Sequence, residues 1–101
     1  MIRGTTPTHT FTIPFDTSSI SDLRISYVQK NVEVLVKTKN DCVLEKNKIV
    51  VKLSQKETFK FTDKERTVLI QIRVLTYNDE VLCSEIMSVD VERCLNDEVL
   101  G

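Results

Sequence analysis

The sequence predicts an all-β protein, an antiparallel β-sandwich of about seven to eight short strands with one short helical turn. Three observations carry the prediction. Apolar residues recur at every second position more often than at every third or fourth, which is the period of a strand. Polar turn signals separate these stretches, and only one of them carries a helix-start pattern. The stretch Thr67–Val91, "TVLIQIRVLTYNDEVLCSEIMSVDV", packs 14 of the chain's 41 apolar residues into 25 positions with no Gly or Pro, as a strand pair would. A small closed barrel is the competing architecture.

Taken in order, "HTFTIPF" places His9, Phe11, Ile13 and Phe15 on one face and Thr8, Thr10 and Thr12 on the other. Threonine suits a solvated strand face, since its β-branch fits the pleat and its hydroxyl stays wet. Pro14 removes a ladder donor, so an edge strand or strand end is expected, with His9 half covered near its end. "FDTSSISD" reads as a turn in which Asp and Ser side chains bond nearby backbone groups. "LRISYVQ" and "VEVLVKT" follow as a hairpin joined by "QKN". Leu23, Ile25 and Tyr27 line one face of the first. Val32, Val34 and Val36 are expected to line one face of the second. "KTKND" is a polar turn. "CVLEKNKIVVKLS" is a second hairpin around Lys46–Asn47, with Asn suited to positive φ. In "SQKETFKF", Ser54 and Glu57 have the spacing of a capping box, so a single helical turn should bring Thr58 and Phe61 to one face.

In the Thr67–Val91 stretch, Val68, Ile70, Ile72 and Val74 share a face. A two-residue turn at Asn78–Asp79 would pair Val74 with Cys83, Ile70 with Met87 and Val68 with Val89. That register sets Ile72 against Glu85 and puts Ile86 out of phase. A bulge near Ser84–Ile86 would repair both faults. Cys83 is then a small apolar core residue. The tail "RCLNDEVLG" has no clean period. Its Leu95, Val99 and Leu100 are expected either to dock on the domain or to await a partner.

The chain's 101 residues fit one domain, here residues 1–95 with an acidic C-terminal tail at 96–101. No apolar run approaches the ~20 residues that span a bilayer, and "MIRGTTPTHT" lacks the apolar middle of a secretory signal. The expected setting is therefore a reducing cytosol. Three cysteines without a CxxC spacing fit that setting as buried thiols. The net charge of −1 hides a skew, with ten basic and six acidic residues between Lys30 and Arg66, and seven acidic residues against Arg93 alone from Tyr77 to Gly101. Solvated strand faces explain this, and head-to-tail attraction between copies is the alternative.

Chemistry has little to stand on. Gly4 and Gly101 are the only glycines, so no phosphate loop is present. Asp79–Glu80 and Asp97–Glu98 are adjacent carboxylates in a turn and in the tail, as expected by chance among 15 acidic residues. A metal cluster or a Cys83–His9 catalytic pair would need the three cysteines and the single histidine to converge, without the paired spacing of a structural zinc site. No enzyme activity and no cofactor are expected. A better-supported alternative is single-stranded nucleic acid at Lys56, Phe59, Lys60 and Lys64, where basic residues interleave with aromatic ones. The acidic pI near 5.8 argues against it.

Read together, "MIRGTTPTHTFTIPFD", "IVVKLSQKETFKF", "VLIQIRVLTYNDEVLCSEI" and "VERCLNDEVL" resemble small uncharacterised proteins of phages and prophages of Gram-positive, Clostridia-type bacteria. The middle-to-end pattern is similar to N-terminal β domains of phage upper-baseplate and tail-associated proteins. The hairpin tip departs from that pattern, with Asn78–Asp79 where such proteins often carry a glycine. The resemblance implies an immunoglobulin-like sandwich and a non-enzymatic structural or assembly module. Its partners would be other phage structural proteins or itself as a homo-oligomer, with no membrane, in the host cytoplasm and then in the virion. The tail residues Asp97, Glu98, Val99 and Leu100 are the candidate protein-interaction element. A cytosolic adaptor without a virion role is the remaining alternative.

Overall fold

A computed structural model describes all 101 residues. Eight strands follow in order: β1 (Thr8–Thr12), β2 (Ile20–Gln29), β3 (Val32–Thr38), β4 (Cys42–Glu45), β5 (Lys48–Lys52), β6 (Thr67–Thr76), β7 (Val81–Cys83) and β8 (Met87–Asp90). One helical turn, α1 (Gln55–Thr58), lies between β5 and β6. The strands form two sheets, ordered β1-β5-β4 and β3-β2-β6-β7, with β8 also paired to β6. All strand pairs are antiparallel. The sheets face each other as a sandwich and do not close into a barrel. With β1 taken as strand B, the order reads B-E-D opposite C′-C-F-G, which is the immunoglobulin arrangement without strand A. The first residues make only an isolated parallel bridge, Ile2 to Glu92.

The core follows from register. Leu23, Ile25 and Tyr27 of β2 lie opposite Val74, Ile72 and Ile70 of β6. All six are buried, and Ile49 and Val51 of β5 close over them from the other sheet. Fully burying side chains of this size contributes about 1.5–3 kcal/mol each. β1 behaves as its alternation demands: His9, Phe11, Ile13 and Phe15 are half-buried and Thr8, Thr10 and Thr12 exposed.

The turns show their local chemistry. Asp16 caps the 3₁₀ turn Thr17–Ser19 by accepting from the Ser18 amide at 2.9 Å. Lys30 and Asn31 both take positive φ, 49° and 62°, which makes the β2–β3 link a two-residue turn of the right-twisting kind. Around α1 the capping box is complete: the Glu57 amide donates to Ser54 Oγ at 3.1 Å and the Ser54 amide to Glu57 Oε1 at 2.9 Å. Thr58 and Phe61 are both buried behind it.

Four expectations need correction. In β3, Leu35 and Lys37 face inward, whereas Val32 and Val36 are exposed. The cause is pairing: Tyr27 meets Leu35 and Ile25 meets Lys37, so the inner face of β2 dictates that of β3. A register shift between Tyr27 and Val28 then displaces Val34. The hairpin tip is a three-residue loop, not a two-residue one. The Asp79 amide donates to Thr76 C=O at 3.0 Å and the Thr76 amide to Glu80 C=O at 2.9 Å, with Asp79 at φ 61°. This loop shifts β7, so Val74 meets Leu82, and Arg73 meets Cys83. Cys83 is exposed, and none of the three cysteines is fully buried. The expected bulge does fall at Ser84–Ile86, and beyond it Ile70 meets Met87 and Val68 meets Val89. Finally, Lys46–Asn47 turns between β4 and β5 without positive φ.

Candidate protein-interaction surface

Two regions carry surface features that the core does not explain. The first is the corner where α1 meets both chain ends. Arg3 is its hinge. Its Nε donates to Phe61 C=O at 2.7 Å, and its Nη2 donates to Phe59 C=O at 3.3 Å. Its guanidinium lies 5.4 Å from the Phe59 ring centre and its Nη1 bonds Asp97 at 3.3 Å. Gly4, at φ +79°, lets the backbone pass against the same ring, where a Cβ would sit 2.5 Å from Phe59 Cζ. Gln55 of α1 clasps the tail, donating to Leu100 C=O at 3.0 Å and accepting from its amide at 2.9 Å.

The tail thus meets α1 at Gln55 and, through Arg3, the Phe59 end of the corner that also carries Lys56, Lys60 and Lys64. Within it, Lys56, Lys60 and Lys64 are exposed, as are Asp97, Glu98, Val99 and Leu100. Phe61 is buried and Phe59 is half-buried beneath Arg3. The aromatic faces that a base would stack on are therefore in use. Leu95 and Leu100 are 88% and 73% exposed, and the bonds that hold the tail are the Arg3–Asp97 pair and the two from Gln55 to the Leu100 backbone.

A partly buried ion pair braces this corner to the larger sheet. Lys37 Nζ of β3 meets Glu57 Oε2 at 2.6 Å. Burial pushes the Glu57 carboxyl up, but the bonds from Lys37 and Ser54 outweigh it and hold the group below its usual range. Gln29, also buried, ties the following loop to β2. Its amide donates to Thr62 and Glu65 carbonyls at 2.9 and 2.7 Å and accepts from the Thr62 amide at 2.9 Å. Neither role has a sequence signature.

The second region is the side of the sandwich where strand A is missing. There, β1 and the β7–β8 edge flank a groove of about 490 Å³. Phe11, Ile13 and Phe15 form one wall, and Ile72, Leu82 and Met87 are on the other. The backbone of β1 is unpaired along this side. The Leu53 amide bonds Pro7 C=O and the Ile13 amide bonds Asn47 C=O, so odd-numbered residues of β1 aim their groups at β5. Thr8, Thr10 and Thr12 aim theirs outward, over the groove's rim.

His9 stands at the inner face of β1 with Nδ1 2.7 Å from Tyr27 Oη. Burial, then repulsion from the N-terminal amine, lowers its pKa from the ordinary value. Burial raises that of Tyr27. No hydrogen bond joins His9 to a cysteine, and Cys42 is pushed up to about 11 by burial and by Asp41. No three His, Cys, Asp or Glu side chains are grouped so as to hold a metal ion. No helix is long and apolar enough to cross a membrane. Comparison with family models, curated proteins and solved structures finds no match to this chain.

Proposed function

We propose that this chain is a non-enzymatic interaction module, a structural or assembly part of a phage tail or baseplate that works through protein–protein contacts on the open side of its sandwich. The observation that carries the reading is the unpaired β1 edge beside an apolar groove. Unpaired strand amides and carbonyls are a template for another strand, and uncovered aromatic and aliphatic side chains gain by being covered. The phage setting comes from the resemblance of the four segments quoted above, and virion parts are built by repeating such contacts. The tail Asp97–Leu100 is a second contact element, held near α1 by Arg3 and Gln55 yet exposed along its length. The protein is made in the host cytoplasm and ends in the particle. Deleting the gene from a phage that carries it should give malformed or non-infectious tails, and the chain should be detectable in purified particles by mass spectrometry. Normal particles that lack the chain would sink the proposal and leave the adaptor reading.

A further inference from the structure

The open side makes a more specific statement about its occupant, which rests on the reading above. We infer that β1 pairs antiparallel with β1 of a second copy, about a two-fold axis at Thr10. The edge is self-complementary in three ways. Its free backbone groups belong to Thr8, Thr10 and Thr12, and a two-fold at Thr10 sets Thr8 against Thr12 of the other copy and Thr10 against itself. Every pair then joins two edge-facing residues, as an antiparallel ladder requires, whereas a one-residue slip would join none.

The edge also carries no Asp, Glu, Lys or Arg, so copying it onto itself brings no like charges together. On the neighbouring strand, Lys48 and Lys52 of β5 stand opposite Thr12 and Thr8. Across the dimer they would be separated by three strand spacings, about 14 Å, which is beyond effective range in physiological salt. The other edges are defended. β3 is irregular near Tyr27–Val28 pairing and carries Glu33, β4 is four residues ending on Glu45, and β7 and β8 are separated by the Ser84–Ile86 bulge.

Apolar cover matches as well. On the inner face, His9 lies beside Phe11 of the other copy on both sides of the axis, an isologous contact that extends the Phe11 wall of each groove with that of its twin. Pro14, without an amide, ends the pairing beyond Thr12.

Sedimentation of the full chain tests this. A monomer–dimer equilibrium should appear between about micromolar and about millimolar concentration, the range of a modest interface. Thr10→Lys places two ammonium groups at the axis and should weaken the dimer by about tenfold or more. The Thr10 side chain is exposed, so an unchanged circular-dichroism spectrum and melting curve are expected. In a chain with Cys42, Cys83 and Cys94 changed to Ser, Thr10→Cys should oxidise to a disulfide-linked dimer. Thr12→Cys should not, because its copies lie about 13 Å apart in this register. A monomer at every concentration, a dimer indifferent to Thr10→Lys, or equal cross-linking of the two cysteine variants would each overturn the inference. The particle experiment above stands apart from all three, since it does not depend on which chain occupies the edge.

Discussion

At the scale of single residues, Arg3 and Gly4 matter more than their place near a chain end suggests. Arg3 ties three separate segments together through carbonyls, a ring face and Asp97. Gly4→Ala would force a side chain into positive φ and against a ring already covered by Arg3. A loss of about 1–3 kcal/mol is expected in urea unfolding. A change within about 0.3 kcal/mol would show that the corner adjusts freely. Two buried or paired groups also set an acid limit. Folding lowers the pKa of His9 from 6.5 and that of Glu57 from 4.5. Each therefore contributes fully above its unfolded value and loses its contribution as the pH falls through the folded one. The urea midpoint should be flat on this account above about pH 6.5, fall first through His9, and fall again below about pH 4.5 through Glu57. His9→Gln should remove the first phase and keep the second. An unchanged two-phase profile in that variant would assign the upper phase elsewhere.

Elements show where local rules were sufficient and where they were not. The capping box at Ser54–Glu57 and the alternation of β1 were legible because each depends on residues only a few positions apart. The inner face of β3 was not. Val36 points outward because Ile25 and Tyr27, on another strand, choose Leu35 and Lys37 as neighbours, while the register shift lets Val34 pack against the core. Lys37 is tolerated inside since its stem packs while its ammonium reaches Glu57. The β6–β7 tip tells a similar story. Asn78–Asp79 marked the turn, but loop length decides register, and one extra residue replaced Cys83 by Leu82 opposite Val74. Asp79 holds φ 61° without being glycine. Asp79→Gly should relieve that and stabilise the protein by roughly 0.5–1 kcal/mol. A lowered melting temperature would mean that the Asp side chain itself supports the loop.

On the whole-molecule scale, the sandwich is unevenly finished. One side is spanned by the β3-to-β4 crossing and the Lys37–Glu57 pair, while the opposite side lacks strand A and stays open. The tail is attached but not integrated, through Arg3–Asp97 and Gln55–Leu100. Removing Asn96–Gly101 should leave the β spectrum intact and cost no more than about 1 kcal/mol, since exposed ion pairs and surface hydrogen bonds are weak. Faster amide exchange should be confined to residues around Arg3, α1 and Phe59. Exchange that accelerates throughout β2 and β6 would show that the tail is part of the folded unit. The candidate tail and the basic corner were each visible in the sequence as charge patterns, yet their adjacency was not, because 30 or more positions separate them and Arg3 joins them from the far end.

What the sequence by itself determined is the set of strands, the first strand's two faces and the helical turn, since alternation and capping are read between near neighbours in the chain. Only the tertiary structure decided which face of β3 is inside, that Cys83 is outside, and that one flank of the sandwich is uncovered. Those depend on pairing between distant segments. A strand cannot signal the absence of its neighbour.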